Sequence, residues 1–289
     1  MKRILVVFCL LMLSAVGAVQ ADSLKDRLKE LIRPPKDKPE RSAPAAEQGD
    51  DIKIPPIGNV RVEDEIRLGR RISGNLLGAA PLVKDAKLQQ YVNRVGRWVA
   101  SHSDRADLKW TFGVIQFSDI NAFAAPGGYV FITLGLYNKL KDEAELAGVL
   151  GHEIAHVQEK HHLKVVQKSQ LLAAGARVLN RKVAKGESAV QKIIGSGAEI
   201  LSRGLDKDAE YEADRVGVVL AARAGYDAWG LPAVLQEISA VSAKDSTVGM
   251  LFTTHPHPDD RLVRLAESMG DRLDGLKESS GTKGRFYVP

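Results

Sequence analysis

The sequence of 289 residues contains a single cysteine, Cys9, and that cysteine lies in an N-terminal stretch expected to be removed. A mature chain without cysteine forms no disulfide and offers no thiolate, so any metal centre must be built from imidazole and carboxylate groups. Surplus charge is scarce too: 41 Lys and Arg stand against 36 Asp and Glu, and two of the cations, Lys2 and Arg3, belong to the same removable stretch. A balance so close to zero is no nucleic-acid signature, and no nucleic-acid partner is expected. Beyond Ala21 no apolar run is long enough to span a bilayer, and no repeat of roughly 20 to 50 residues recurs, which excludes a repeat array. The length suffices for one large domain or two small ones.

What the sequence does have is Gly151-His152-Glu153-Ile154-Ala155-His156. On an α-helix, side chains four positions apart share a face, so His152 and His156 can converge on one ion with Glu153 beside them. A carboxylate there can take a proton from an attacking water and pass it on. Between Ala144 and Val157 the only polar side chains are Glu145, His152, Glu153 and His156, so this helix is expected to be buried. Buried imidazoles beside a buried carboxylate are costly unless something satisfies them, and zinc would. Asp142 followed by Glu145 marks the helix start. Gly148 and Gly151 each cost about 1 kcal/mol relative to Ala in a helix, which points to a close backbone neighbour.

Around this helix the chain divides readily. Met1 to Ala21, with a basic start, an apolar run and Val19-Gln20-Ala21 at its end, reads as a signal peptide (1–21). Residues 22–57 read as an amphipathic leader helix followed by a Pro-rich linker, the leader offering peripheral contact with a membrane or with envelope assembly machinery. The body is expected from 58 to 270 and a tail from 271 to 289, with the aromatic pair Phe286-Tyr287 able to pin the tail. Periodicity predicts helices over Glu63 to Leu77 and Asp85 to Ser101, the second with a core stripe of Leu88, Tyr91, Val92, Val95, Trp98 and Val99. Leu108 to Phe117 reads as a strand. Asn121 to Ala125 leads to Gly127-Gly128, a tight turn or close backbone approach, and then to a second strand. Gly128, Tyr129, Val130 and Phe131 in that strand are expected to pair with an extended polypeptide substrate, with a buried hairpin as the alternative. Leu163 to Leu205 is helical in period and rich in Ala and Gly, either a packed helix pair or a lid.

Catalytic zinc usually takes three protein ligands and leaves one position open. In one arrangement the third ligand is a histidine six residues after the second, where His162 stands, but position 159, where that arrangement turns on a glycine, is Glu159. The other candidate is Glu210, on a predicted helix from Asp208 to Ala224, with Asp214 on the same face to hold the second ring nitrogen of a ligand histidine. After a further helix from Trp229 to Val241 comes Thr254-His255-Pro256-His257-Pro258-Asp259-Asp260-Arg261. Each proline pushes the preceding histidine onto extended backbone, and Asp259 or Asp260 is expected to cap the helix that follows.

Together Gly151-His152-Glu153-Ile154-Ala155-His156, the downstream Glu210-x-x-Ala213-Asp214 and the upstream Asn121-Ala-Phe-Ala with Gly127-Gly128 resemble metallopeptidase family 48, over about Glu63 to Met269. The resemblance implies an α+β, zincin-like (gluzincin) fold, mostly helical, with a small sheet whose edge strand lies beside the active-site helix. It implies a zinc endopeptidase with one zinc on His152, His156 and Glu210, Glu153 as catalytic base, and misfolded or misassembled envelope proteins as substrates. The chain departs from membrane-embedded members in lacking spanning helices and from others in lacking a helical repeat domain, which leaves a periplasmic, single-domain type. Similar His-Pro loops with a following Arg lie near the family's active site. On that footing His255 is expected either to fill the open zinc position in a latent state or to sit on a rim loop. Arg261 is expected either to stabilise the anionic intermediate or to pair with a carboxylate. A reading of another class is a zinc-stabilised chaperone or scaffold that binds unfolded chains without cutting them.

Overall fold

A computed structural model describes residues 52, 54–55, 58–106, 108–179, 205–242, 245–272 and 284–289. The stretches read as signal peptide and leader helix, most of the expected linker, the second half of the 163–205 stretch and much of the expected tail lie outside the described residues.

Helix α1 (Val62–Ala79) and helix α2 (Ala86–Ala100) precede a small sheet of β1 (Thr111–Ile115), β2 (Ala122–Ala125) and β3 (Tyr129–Thr133). Asp85 caps α2 by accepting the N–H groups of Lys87 and Leu88, and Leu88, Tyr91, Val92, Val95 and Val99 are buried as their spacing requires. Trp98 departs from that expected stripe. It is 53% exposed, and its indole N–H donates to the Ala224 carbonyl. The strands run in the order β1-β3-β2, with β3 parallel to β1 and antiparallel to β2. Because successive strand residues face opposite ways, Phe123 and Phe131 join a cluster with α1, whereas Ala122, Ala124, Val130 and Ile132 join the larger core under α2. The β2–β3 turn needs its glycines: Gly127 and Gly128 have φ of 77° and 92°, and a Cβ on Gly127 would lie 2.6 Å from the Ile66 Cα.

After a short helix, α3 (Leu134–Tyr137), come α4 (Glu143–Gln158), α5 (His161–Leu179), α6 (Lys207–Arg223), α7 (Gly230–Ser239), α8 (Gly249–Thr254) and α9 (Pro258–Met269). Helix α4 is the central one. All of it except Gln158 is buried, and it contacts α2, α6, α7, β2 and β3. Segments at both ends pack on the body. Ile54, inside the stretch read as linker, is buried against α1 and α5. At the other end Phe286 stacks on Tyr137, the Tyr287 hydroxyl donates to Asp85, and Arg285 pairs with Glu143 at 3.4 Å, so the tail's aromatic pair docks on the body. Among the described residues no helix is long and apolar enough to cross a membrane.

Candidate metal centre

The site exists because two helices approach α4 at backbone distance. Asp142 Oδ1 accepts the Glu145 N–H at 2.8 Å and starts α4. A Cβ on Gly148 would fall 2.6 Å from the Leu231 nitrogen, and one on Gly151 would fall 2.6 Å from the Gly217 carbonyl oxygen. These two glycines therefore let α7 and α6 lie directly against α4, and Gly217 reciprocates toward His152. Glu210 and Asp214, one turn apart on α6, are carried to the histidine face.

Four side chains then converge. His152, His156, Glu210 and His255 each present one ligand atom, all within 4.8 Å of one another. The Nε2 atoms of His152 and His156 are 3.0 Å apart, and Glu210 lies 3.7 Å from the first and 3.6 Å from the second. His255 Nε2 lies 3.7 Å from Glu210. Burial holds the His152, His156 and His255 rings below their ordinary pKa, helped by the positive charge of Arg261 and by one another, and pushes the Glu210 carboxyl well above its own. Glu210 Oε2 is buried and has no hydrogen-bond partner among the described residues. Neutral imidazoles crowded around a desolvated, orphaned carboxyl oxygen are unfavourable as they stand. A divalent cation on the same point would satisfy every one of those groups, so the donor set fits a metal.

Both candidate ligand histidines, His152 and His156, are held from behind. His152 Nδ1 meets Asp214 Oδ1 at 2.8 Å. Arg261 donates to both Asp214 oxygens, at 2.9 and 2.5 Å, and its Nη2 is 3.3 Å from His152 Nδ1. Burial opposes ionisation of Asp214, yet the Arg261 guanidinium holds that carboxyl well below the usual carboxylate range. His156 Nδ1 instead meets His161 Nδ1 at 2.9 Å, and His161 Nε2 reaches Glu212 at 3.2 Å. Glu153 lines a cavity of about 20 Å³ with His156, Glu210 and His255, room for about one water. Burial pushes its carboxyl up to about 8.

Several expectations need correction. The strand carrying Gly128, Tyr129, Val130 and Phe131 is the middle one, with both edges already paired. The edge beside α4 is β2. Thr133 N–H donates to the Asn121 carbonyl, so in the antiparallel register residues 121, 123 and 125 face β3 while Ala122 and Ala124 turn their backbone groups the other way. Ala122, Phe123 and Ala124 line the cavity. His162, the alternative third ligand, is not among the four converging residues. Helix α4 stops at Gln158, and Lys160 takes φ 57°. Of the two roles expected for Arg261, pairing with a carboxylate is the one seen: the residue is 4% exposed and donates to Asp214. The cap of α9 is His257, whose ring accepts the Asp259 N–H, with Pro258 in the first turn; Asp259 and Asp260 follow inside the helix. Of the two histidines on extended backbone, His255 points into the cluster and His257 points out. Sequence reasoning missed His161 and Glu212. The polar run Gln158-Glu159-Lys160, which ends the apolar helix, was the available sign of a turn there.

A model of peptidase family M48 matches residues 86–269. A putative beta-barrel assembly-enhancing protease of Vibrio cholerae is 30% identical over 236 residues, covering 78% of this chain and 49% of the relative. The beta-barrel assembly-enhancing protease of Escherichia coli is 29% identical, covering 70% and 43%. A mitochondrial metalloendopeptidase, OMA1 of Arabidopsis thaliana, is 27% identical, covering 65% and 37%. The chain spans half or less of the length of these curated relatives.

Proposed function

The chain belongs to peptidase family M48, and from that premise we propose that it is a zinc-dependent endopeptidase, exported through its 1–21 signal peptide and acting in the periplasm. The observation that carries this reading is the orphaned Glu210 oxygen facing two imidazoles, with Glu153 beside the same point. His152, His156 and Glu210 are the proposed zinc ligands. Zinc, when bound, supplies a Lewis acid that polarises a peptide carbonyl and acidifies water at that point. Glu153 takes the proton of the attacking water and delivers it to the leaving amine nitrogen. Asp214 and Arg261 position His152. An extended polypeptide lies along the β2 edge, where Ala124 offers its N–H and carbonyl, which puts the reacting carbonyl beside Glu153.

His255 competes for the same position as that carbonyl. Its place within the four-residue cluster supports a latent state in which the ring fills the fourth ligand position, relieved when the His255-Pro256 loop moves. The names of the bacterial relatives support substrates among proteins engaged in β-barrel assembly, in keeping with misfolded or misassembled envelope proteins.

Casein digestion by the purified chain, with and without chelator, tests the activity. Glu153→Gln should retain zinc and lose about 10² to 10⁴ in rate. Intact casein in every tube, including one with His255→Ala, would reject the peptidase and leave a zinc-stabilised chaperone that binds without cutting.

A further inference from the structure

We propose that His161 and Glu212 form a relay that fixes the ring orientation and tautomer of His156; the proposal rests on the zinc-centre reading above. His156 turns its Nε2 to the ligand cluster, 3.0 Å from His152 Nε2 and 3.6 Å from Glu210. Its Nδ1 is therefore the nitrogen left for support, and it faces His161 Nδ1 at 2.9 Å. Two ring nitrogens can bond only when one of them carries the hydrogen. For His156 to present a lone pair at Nε2, the hydrogen must sit on its Nδ1, so His161 Nδ1 accepts. Neutral His161 then carries its own hydrogen on Nε2, the atom 3.2 Å from Glu212 Oε2. One proton arrangement satisfies both links, and it is the one that a ligand histidine needs.

The local fold is arranged for this contact. Helix α4 ends at Gln158, and Lys160 in the left-handed region turns the chain so that His161 opens α5 directly beneath His156. His161 is 3% exposed, so bulk water is a poor substitute for its ring. Glu212 is 39% exposed and stands with His161 on the wall of a cleft of about 1310 Å³ lined also by Lys164, Tyr211 and Arg215. The relay thus runs from the ligand cluster to an open groove, and His161 and Glu212 are positioning residues that touch neither metal nor substrate.

The test uses the full chain. Zinc affinity is measured by competition with a chromogenic chelator, and the His156 tautomer by side-chain ¹⁵N shifts of the metal-free protein. His161→Phe keeps a ring of similar size but no acceptor, and zinc affinity should fall about ten- to a hundredfold. The fixed Nδ1–H form of His156 should disappear with it. His161→Asn, which returns an oxygen near the Nδ1 position, should recover much of both; Glu212→Gln should weaken zinc by a smaller factor. A His161→Phe protein with unchanged affinity and unchanged tautomer would overturn the relay, as would a His161→Asn protein no better than His161→Phe. Should His161→Phe fail to fold, an unaltered tautomer and affinity in Glu212→Lys, which puts a donor where the acceptor stood, would overturn it alone. An unmodified chain that binds no zinc would reject the metal centre instead, and the metal-free tautomer measurement would still decide the relay.

Discussion

The two proposed ligand histidines, His152 and His156, sit one helical turn apart, yet their surroundings differ. His152 leans on Asp214, itself clamped by Arg261, and all three side chains are 5% exposed or less. His156 leans on another imidazole, whose carboxylate partner is 39% exposed. Each histidine needs an acceptor for its second ring nitrogen. On the inner side the need is met in the core by a full ion pair; on the outer side it is met by a neutral ring at the edge of a cleft. A buried pair is strongly coupled, because removing one partner strands the other's charge. A half-exposed carboxylate is compensated by water when it is disturbed. The inner support should therefore behave as part of the fold, and the outer support as an adjustment of the site.

The largest effect should come from breaking the inner pair. Arg261→Met keeps the stem and removes the charge, leaving Asp214 buried without its cation, so the metal-free protein should lose about 3–5 kcal/mol in urea denaturation. A loss below about 1 kcal/mol would place both supports in one class and remove the contrast. Next comes Gly217→Ala. Its Cβ would stand 2.6 Å from the His152 nitrogen, and forcing α6 from α4 should cost about 1–3 kcal/mol. Since Asp214 is less than one turn away on the same helix, the variant should loosen the His152 support while His156 keeps His161, which follows α4 directly in the chain. Equal loosening at both rings, read from side-chain ¹⁵N shifts, would argue against independent supports.

How much of this was legible in the sequence follows from how local each feature is. The pairing of His152 with His156 is a matter of helical spacing, and the buried α4 shows in its apolar flanks. Gly148 and Gly151 signalled a close neighbour because glycine in a helix interior costs stability that only packing repays. Glu210 and Asp214 share a face by the same spacing and were picked out by the requirement for a third ligand. The sheet was read only in part. β1 and the strand after the glycine turn were found, but Ala122–Ala125 before it was not read as a strand, and strand order is set by a parallel pairing of β1 with β3 across the chain, which makes β2 the edge. The support role of His161 went unseen because it depends on Lys160 adopting a backbone region that lysine seldom takes. Arg261 was read as a partner of either substrate or carboxylate; the choice depends on how α9 packs against α6, which is a tertiary fact.

Smaller again is the effect of His255→Ala, which touches neither support. If the ring shares its time between the ligand cluster and an open loop, removing it should raise peptidase activity about tenfold, equivalent to ~1.4 kcal/mol of population shift. Stability in urea should move little. Activity that stays level or falls would assign His255 to the working site, and the two supports would then have to be judged in the presence of a permanent third imidazole.

The smallest effect is the one that separates the two sides most cleanly. Glu212→Gln removes the outer carboxylate while keeping its volume, and the residue is exposed enough for water to take over the His161 N–H. Unfolding free energy should change by less than about 1 kcal/mol, against several for Arg261→Met in the same assay. Pairing the variants in double-mutant cycles sharpens the point. Asp214→Asn with Arg261→Met should show strong coupling, since each single change strands the other group, whereas Glu212→Gln with His161→Asn should be close to additive in stability. Strong coupling on the outer side would mean that the cleft end of the relay is as much a part of the core as Asp214, and the division between a structural and an adjustable ligand would have to be withdrawn.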